Sequence, residues 1–365
     1  MPGVYISYPF CRQKCTFCNF ASEVYSRALE ARYVAALRAE IQRHPWRWQP
    51  ETLYLGGGTP GDNDPAVLET ILALVPGYPW GEATVEAAPG SITRKKAHEW
   101  RRLGINRISL GVQTFVRAEI ARTGRRHTAE IVRDEIELLR DEGITNFNID
   151  LIAGLPGQTP ESWSESLDWI ERLRPPHVSV YMLEIDDDSR LGREMRRGGS
   201  RYGAPDAPSE ETTVTLYEMA VERLQAAGIE RYEISNFAVP GHESRHNLKY
   251  WRIEPYVGFG ADSHSFDGEI RRQNAETASE YVTRTERSES PCIAESPAKP
   301  DEERFYVGLR QTAGIRLHPD DWQRFETTIR RFADQGLVEA KGDTLRLTPR
   351  GILFSNEVLQ EFIGT

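Results

Sequence analysis

Val4-Tyr5-Ile6-Ser7-Tyr8-Pro9-Phe10-Cys11-Arg12-Gln13-Lys14-Cys15-Thr16-Phe17-Cys18 joins a short apolar run to three of the chain's four cysteines. Residues 4–8 read as a strand, Pro9 ends it, and the cysteines fall in the loop that follows. A disulfide framework spreads its cysteines along the chain; three of them clustered at Cys11, Cys15 and Cys18 read as a metal site in a reducing cytoplasm. The spacing is C-x3-C-x2-C. Structural zinc wants four ligands, usually as two close pairs, and only one such pair exists here. Iron–sulfur clusters are held by thiolates, usually four, so three leave one iron open to hold a substrate. Cys292, in Ser-Pro-Cys-Ile, reads as an exposed thiol without a role.

Outward from this loop, short apolar runs alternate with amphipathic stretches. Strands are expected at 52–55, 84–87, 107–112, 146–152 and 177–183, and helices near 26–43, 64–74, 93–103, 128–142 and 162–173. Strands separated by helices require parallel crossovers, and the apolar strands suggest burial on both faces. A full eightfold barrel needs two more units than can be found. The expected class is therefore α/β, a partial (open) β/α barrel of about six units with a small winged-helix-like C-terminal domain. The divisions are 1–230 for the barrel, 231–300 for a substrate-binding extension and linker, and 301–365 for the terminal domain. Within them 186–208 reads as a surface insertion and the Ser/Glu/Pro-rich 283–300 as the linker. In such barrels the chemistry sits at the C-terminal strand ends. The cysteine loop and Gly56-Gly57-Gly58-Thr59-Pro60 both follow strands there.

The chain has 365 residues, with 45 Lys+Arg against 55 Asp+Glu, for a net charge of −10. That balance argues against a nucleic-acid coat. No apolar run is long enough to span a membrane, and the first residues lack the pattern of a secretion signal. Peripheral membrane contact stays open. His242-Glu243-Ser244-Arg245-His246 fits the H-E-x-x-H zinc-peptidase pattern, but Pro240-Gly241 precede it and no apolar stripe flanks it, so no helix is expected to align the two histidines.

The cysteine spacing and the glycine loop resemble those of the radical S-adenosylmethionine (SAM) superfamily. Further motifs resemble its oxygen-independent coproporphyrinogen III oxidase family: Thr84-Val-Glu86-Ala-Ala-Pro89-Gly90, Ile108-Ser-Leu-Gly111-Val-Gln113-Thr-Phe115 and Asp150-Leu-Ile-Ala-Gly154-Leu-Pro156-Gly157. The resemblance implies a 4Fe-4S cluster on Cys11, Cys15 and Cys18 and SAM bound by Tyr5, Phe17, Gly57, Gly58, Thr59, Glu86, Gln113, Arg125 and Asp150. In that scheme Glu86 pairs the SAM ammonium and Arg125 its carboxylate. Gln113 and Asp150 reach the adenosyl hydroxyls, and Tyr5 and Phe17 flank the cluster and nucleotide. Arg122 and Arg126 compete with Arg125 for the assignment.

Phe20 stands where the oxidases of this family carry a further Cys, and Ser7 where a His is usual. Phe20 instead resembles the family's heme-chaperone branch, of the HemW type. So do His246-Asn-Leu-Lys-Tyr250-Trp251, Glu233-Ile-Ser-Asn236-Phe-Ala, Gly258-Phe-Gly260-Ala and the tail from Asn356-Glu-Val358 to Phe362. That branch implies heme as a ligand, with His246 as axial ligand beside Tyr250 and Trp251. It also implies a heme-acceptor protein and an electron donor such as flavodoxin or ferredoxin. The alternatives are an oxidative decarboxylase of coproporphyrinogen III and another radical SAM enzyme such as a methyltransferase.

Overall fold

Alternation of side chains decides how the central strands sit. The computed structural model describes residues 2–363. Six parallel strands, β1 (Gly3–Tyr8), β2 (Thr52–Gly57), β3 (Glu82–Ala87), β4 (Arg107–Gln113), β5 (Asn146–Ala153) and β6 (His177–Met182), pair in sequence order. The crossovers are α1 (Arg27–Arg43), α2 (Pro65–Leu72), α3 (Arg94–Arg102), the short α4 (Arg117–Arg122) with α5 (Ala129–Asp141), and α6 (Pro160–Leu173). Thr93, Thr128 and Thr159 each accept a backbone N–H in the first turn of α3, α5 and α6, which fixes where those helices begin.

Every second residue of these strands is apolar and faces the helices: Val4 and Ile6, Leu53 and Leu55, Ile108 and Leu110, Ile149 and Leu151, Val178 and Val180 are all fully buried. Each contributes about 1.5–3 kcal/mol. The intervening residues form the other face and are polar. Tyr5 sits opposite Tyr54, Glu86 opposite Ser109, Ser109 opposite Asn148, and Asp150 opposite Ser179. The expectation of apolar burial on both faces is thus corrected. The strands follow period two, and the concave face is a polar lumen.

Beyond β6, α7 (Arg190–Arg196) and α8 (Glu210–Ala226) lead to β7 (Glu230–Arg231), β8 (Asn236–Ala238), α9 (Arg245–Trp251), β9 (Tyr256–Phe259), β10 (His264–Phe266), β11 (Ile270–Asn274), α10 (Ala278–Glu286) and β12 (Cys292–Pro297). β9 pairs parallel with β1, and β8 pairs antiparallel with β6. The open sheet therefore has 12 strands, in the order β12-β11-β10-β9-β1-β2-β3-β4-β5-β6-β8-β7.

Two segment readings change. The stretch 283–300 is not a bare linker. The end of α10 is tied to α1 by the Glu286–Arg32 ion pair at 2.6 Å, and β12 is the edge strand on β11. β12 is exposed along most of its length, so it carries no apolar alternation to betray it. The 186–208 stretch is not only a surface insertion. Leu191 of α7 is buried, and its N–H donates to the Thr16 carbonyl at 2.8 Å, bracing the cysteine loop.

The tail contains α11 (Pro300–Tyr306), β13 (Ile315–Arg316), α12 (Pro319–Asp334), β14 (Val338–Lys341), β15 (Thr344–Leu347), α13 (Pro349–Leu353) and α14 (Ser355–Gln360). Its small sheet, ordered β13-β15-β14, contains the hairpin at Gly342. Phe305, Phe325 and Phe362 form its aromatic core, with centroids 4.5–5.2 Å apart. Among the described residues, no helix is long and apolar enough to cross a membrane.

Candidate cluster and cofactor site

The cysteine loop leaves β1 and is tied down on three sides. The Cys11 N–H donates to the Glu23 carbonyl at 3.1 Å, the Thr16 N–H to Thr123 at 3.2 Å, and the Thr16 hydroxyl to the Arg122 carbonyl at 3.1 Å. The Gly58 N–H donates to Tyr8 and the Thr59 N–H to Phe10. A side chain at Gly58 would place its Cβ 2.5 Å from the Phe10 carbonyl oxygen, so only glycine lets the two loops pass this closely. Gly57 adopts φ +100°, and its N–H donates to Glu86 Oε2 at 3.2 Å.

The three thiols are half-buried and free. Cys11 accepts from the Thr59 hydroxyl at 3.8 Å, Cys18 lies 3.9 Å from the Ser22 hydroxyl, and Arg125 Nε donates to Cys15 Sγ at 3.2 Å. Burial pushes the Cys11 thiol up, and ionised neighbours at Cys15 and Cys18 would push it further. Adjacent thiolates in such a place need a metal centre to share their charge. Among the described residues no three His, Cys, Asp or Glu side chains converge as ligands of a single ion. A cuboidal cluster gives each thiolate its own iron, so its ligands stand apart, and this donor set fits one.

The other expected SAM residues lie around the lumen at the same strand ends. Glu86 accepts from the Tyr54 hydroxyl at 2.9 Å as well as from Gly57. Burial and the nearby Asp150 charge push it up to about 7, against the pull of those hydrogen bonds. Asp150 is raised by burial, while Asn148, Ser179, Ser109 and Arg125 oppose the shift. A bulge between Gly111 and Gln113 breaks the β4 register, and Gln113 has φ +72°, costly for a residue with a side chain. The bulge re-aims Gln113 so that its amide and the Arg125 guanidinium both lie against Gly111. Arg125 also donates to the Gly111 carbonyl. The three candidate arginines lie apart: Arg122 is spent on Pro156 and Asp206, Arg126 is exposed, and Arg125 faces Cys15. Tyr5 packs beside Tyr54, with ring centroids 6.1 Å apart, and Phe17 is half-buried in the loop. Phe20 is 69% exposed.

The residues expected to hold heme lie elsewhere. His246 is buried at the opposite, N-terminal end of the strands. Its Nδ1 is 2.9 Å from the Thr52 hydroxyl and its Nε2 2.9 Å from the Tyr250 hydroxyl, while its backbone N–H donates to Glu82. Its ring stacks on Tyr54, and burial, aided by Lys249, holds its pKa down to about 3. Neither nitrogen is open to an iron in this arrangement, and Tyr250 is occupied by His246. Trp251 is half-buried under the Arg310 guanidinium, 4.8 Å from its ring. In this structure His246 thus sits in a closed hydrogen-bond network with Thr52 and Tyr250. Of the H-E-x-x-H pattern, His242 lies before the helix cap Ser244 and His246 inside α9.

Sequence reasoning missed Tyr54, Ser109, Asn148, Ser179 and Asn236, which line the lumen between these groups. Their signal was the polar half of each alternating strand.

The pattern of the radical SAM superfamily matches residues 5–170, and that of the HemN C-terminal domain matches residues 297–354. The chain is 31% identical to the heme chaperone HemW of Bacillus subtilis, covering 100% of both chains. It belongs to the HemW family of the radical SAM superfamily. The HemW of Escherichia coli is 30% identical over 99% of this chain and 98% of its own. Among solved structures, the Escherichia coli coproporphyrinogen III oxidase HemN superposes with a TM-score of 0.85 at 22% identity, covering 99% of this chain and 90% of that one. The HemW family thus shares the HemN fold. Superfamily membership implies a 4Fe-4S cluster and SAM.

Proposed function

We propose that this chain is a heme chaperone that binds heme, carries a 4Fe-4S cluster with SAM, and passes heme to an acceptor protein in the cytoplasm. The end-to-end identity with heme chaperones named HemW carries this reading. Cys11, Cys15 and Cys18 hold the cluster. When bound, the cluster supplies the electron that breaks a sulfonium C–S bond of SAM, drawn from a donor such as flavodoxin or ferredoxin. The chain's own groups bind and orient. Glu86 holds the ammonium, Arg125 the carboxylate, and Gln113 and Asp150 the ribose hydroxyls. Tyr5, Phe17 and the 57–59 loop wall the nucleotide from water. Helices close the outer face of the sheet, so access is from the lumen mouth.

The test is anaerobic incubation of the cluster-reconstituted protein with SAM, a reductant and coproporphyrinogen III, followed by mass, alongside a hemin titration. Hemin binding without decarboxylation is the expected result. Loss of carbon dioxide from the porphyrinogen at substrate-level yield overturns the chaperone reading in favour of an oxidase, and a methylated product in favour of a methyltransferase.

A further inference from the structure

Asp150 faces the lumen from the polar side of β5, and a chain of hydrogen bonds sets its orientation. The chain starts at the cap of α9. The Ser244 N–H donates to the Tyr232 hydroxyl oxygen at 3.1 Å. The Asp150 carboxylate accepts, so Asn148 turns its nitrogen to Asp150 and its oxygen to His177 Nδ1–H, with Nδ1 2.7 Å from Asn148 Oδ1. That leaves His177 Nε2 to take the Tyr232 hydroxyl proton, 2.8 Å away. Asn148 Nδ2 donates to Asp150 Oδ1 at 2.7 Å and to the Ser109 hydroxyl oxygen at 2.8 Å. The Ser109 proton closes the ring on Asp150 Oδ2 at 3.2 Å.

A second branch ends on the same amide. Glu233 accepts from the Asn236 amide nitrogen, Ser179 bridges the Asn236 and Asn148 carbonyl oxygens at 2.7 and 3.2 Å, and Asn148 passes the restraint to Asp150. This gives the Glu233-Ile-Ser-Asn236 motif a physical task. Asn148, His177 and Ser179 are buried, at 4%, 1% and 2% exposure, so water does not compete for these bonds. Burial also holds His177 well below the usual imidazole range, and hence neutral, as a relay through both ring nitrogens requires.

We infer that Asn148, oriented by His177 and Tyr232, is the positioning residue that presents Asp150 to the ribose hydroxyls of the bound nucleoside. The inference rests on the proposed SAM site. Asp150 takes two donors from fixed directions and keeps acceptor capacity on both oxygens. A flipped or missing amide turns a donor away from Asp150 and leaves a buried carboxylate without its partner.

The experiment compares S-adenosylhomocysteine with its 2′,3′-dideoxy analogue, binding each to the cluster-reconstituted protein by calorimetry. Wild type is expected to prefer the hydroxylated ligand. Asn148→Ala is expected to lose that preference by roughly tenfold while binding the dideoxy analogue as wild type does. His177→Phe is expected to behave likewise and His177→Gln, which can donate and accept in the same places, to restore the preference. These two variants decide the matter if Asn148→Ala fails to fold. Equal weakening of both ligands, or an undiminished preference in Asn148→Ala, overturns the inference. Failure of wild type to bind either ligand overturns the SAM-site reading beneath it.

Discussion

Glu86→Gln separates what the site gains from what it costs the fold. In the folded chain Glu86 is held at about 7, against an ordinary value of 4.5. The folded state therefore binds its proton more tightly than the unfolded state, and stability is lost as pH rises from 4.5 through 7. Above that window the ionised carboxylate costs roughly 3 kcal/mol, because each tenfold change in proton affinity is worth about 1.4 kcal/mol. Glutamine is neutral at every pH. Its amide oxygen can still accept from Tyr54, but its nitrogen cannot accept from the Gly57 N–H, a loss of about 1 kcal/mol. The ligand-free Glu86→Gln chain is thus expected to be more stable than wild type by about 1–2 kcal/mol at about pH 8.5, with the gain gone at about pH 5. Urea unfolding of both proteins at the two pH values reads this directly, and SAM binding by the same samples is expected to fail because the ammonium has lost its anion. A stability difference of the same size and sign at both pH values refutes the argument, since burial of charge would then not be its cause.

Three further outcomes follow from the geometry. Arg125→Ala is expected to weaken binding of S-adenosylhomocysteine by roughly tenfold or more, and Arg126→Ala to leave it unchanged, because Arg125 faces Cys15 while Arg126 is exposed; calorimetry on the reconstituted variants checks this. Cys18→Ala is expected to fall from about four irons per chain to under about one, measured by iron and sulfide analysis after reconstitution. His246→Ala is expected to lose about 2–4 kcal/mol of stability, since it strands the Thr52 and Tyr250 hydroxyls and leaves a cavity. Its hemin affinity, titrated below the melting transition, is expected to match wild type; a large loss there would reinstate His246 as a heme ligand.

The residues proposed for the cluster and most of those proposed for SAM could be picked out in the sequence because their signals are local. Cys11, Cys15 and Cys18 lie within one loop, and Gly57 and Gly58 carry a backbone requirement that no other residue type meets. Glu86 and Asp150 stood out as carboxylates inside strands, where an unpaired buried charge is costly. The surroundings of His246 were not legible, because a motif says which residues occur together and nothing about which end of a barrel they occupy. Its surroundings come from Thr52, Tyr54 and Glu82, with Thr52 lying 194 positions away in the chain. Arg125 could not be told from Arg122 and Arg126 by spacing alone, because the choice depends on where the helix and loop turn each guanidinium.

Sequence alone determined the order of the six barrel strands and the main helices between them, since periodicity and caps act within a few residues of one another. It also brought Cys11, Cys15 and Cys18 together, since they share a loop. It also held, in the strict alternation of residues 52–56, 107–111 and 146–150, the record of a polar inner face. Tertiary structure decided what that face does. Only the register between parallel strands brings Ser109, Asn148 and Ser179 to one level beside Asp150. Only the return of the chain as β8 and α9 delivers Asn236 and the Ser244 cap to His177 and its neighbours. Such contacts join residues remote in sequence, and they form because a buried polar group must find a partner wherever the fold supplies one.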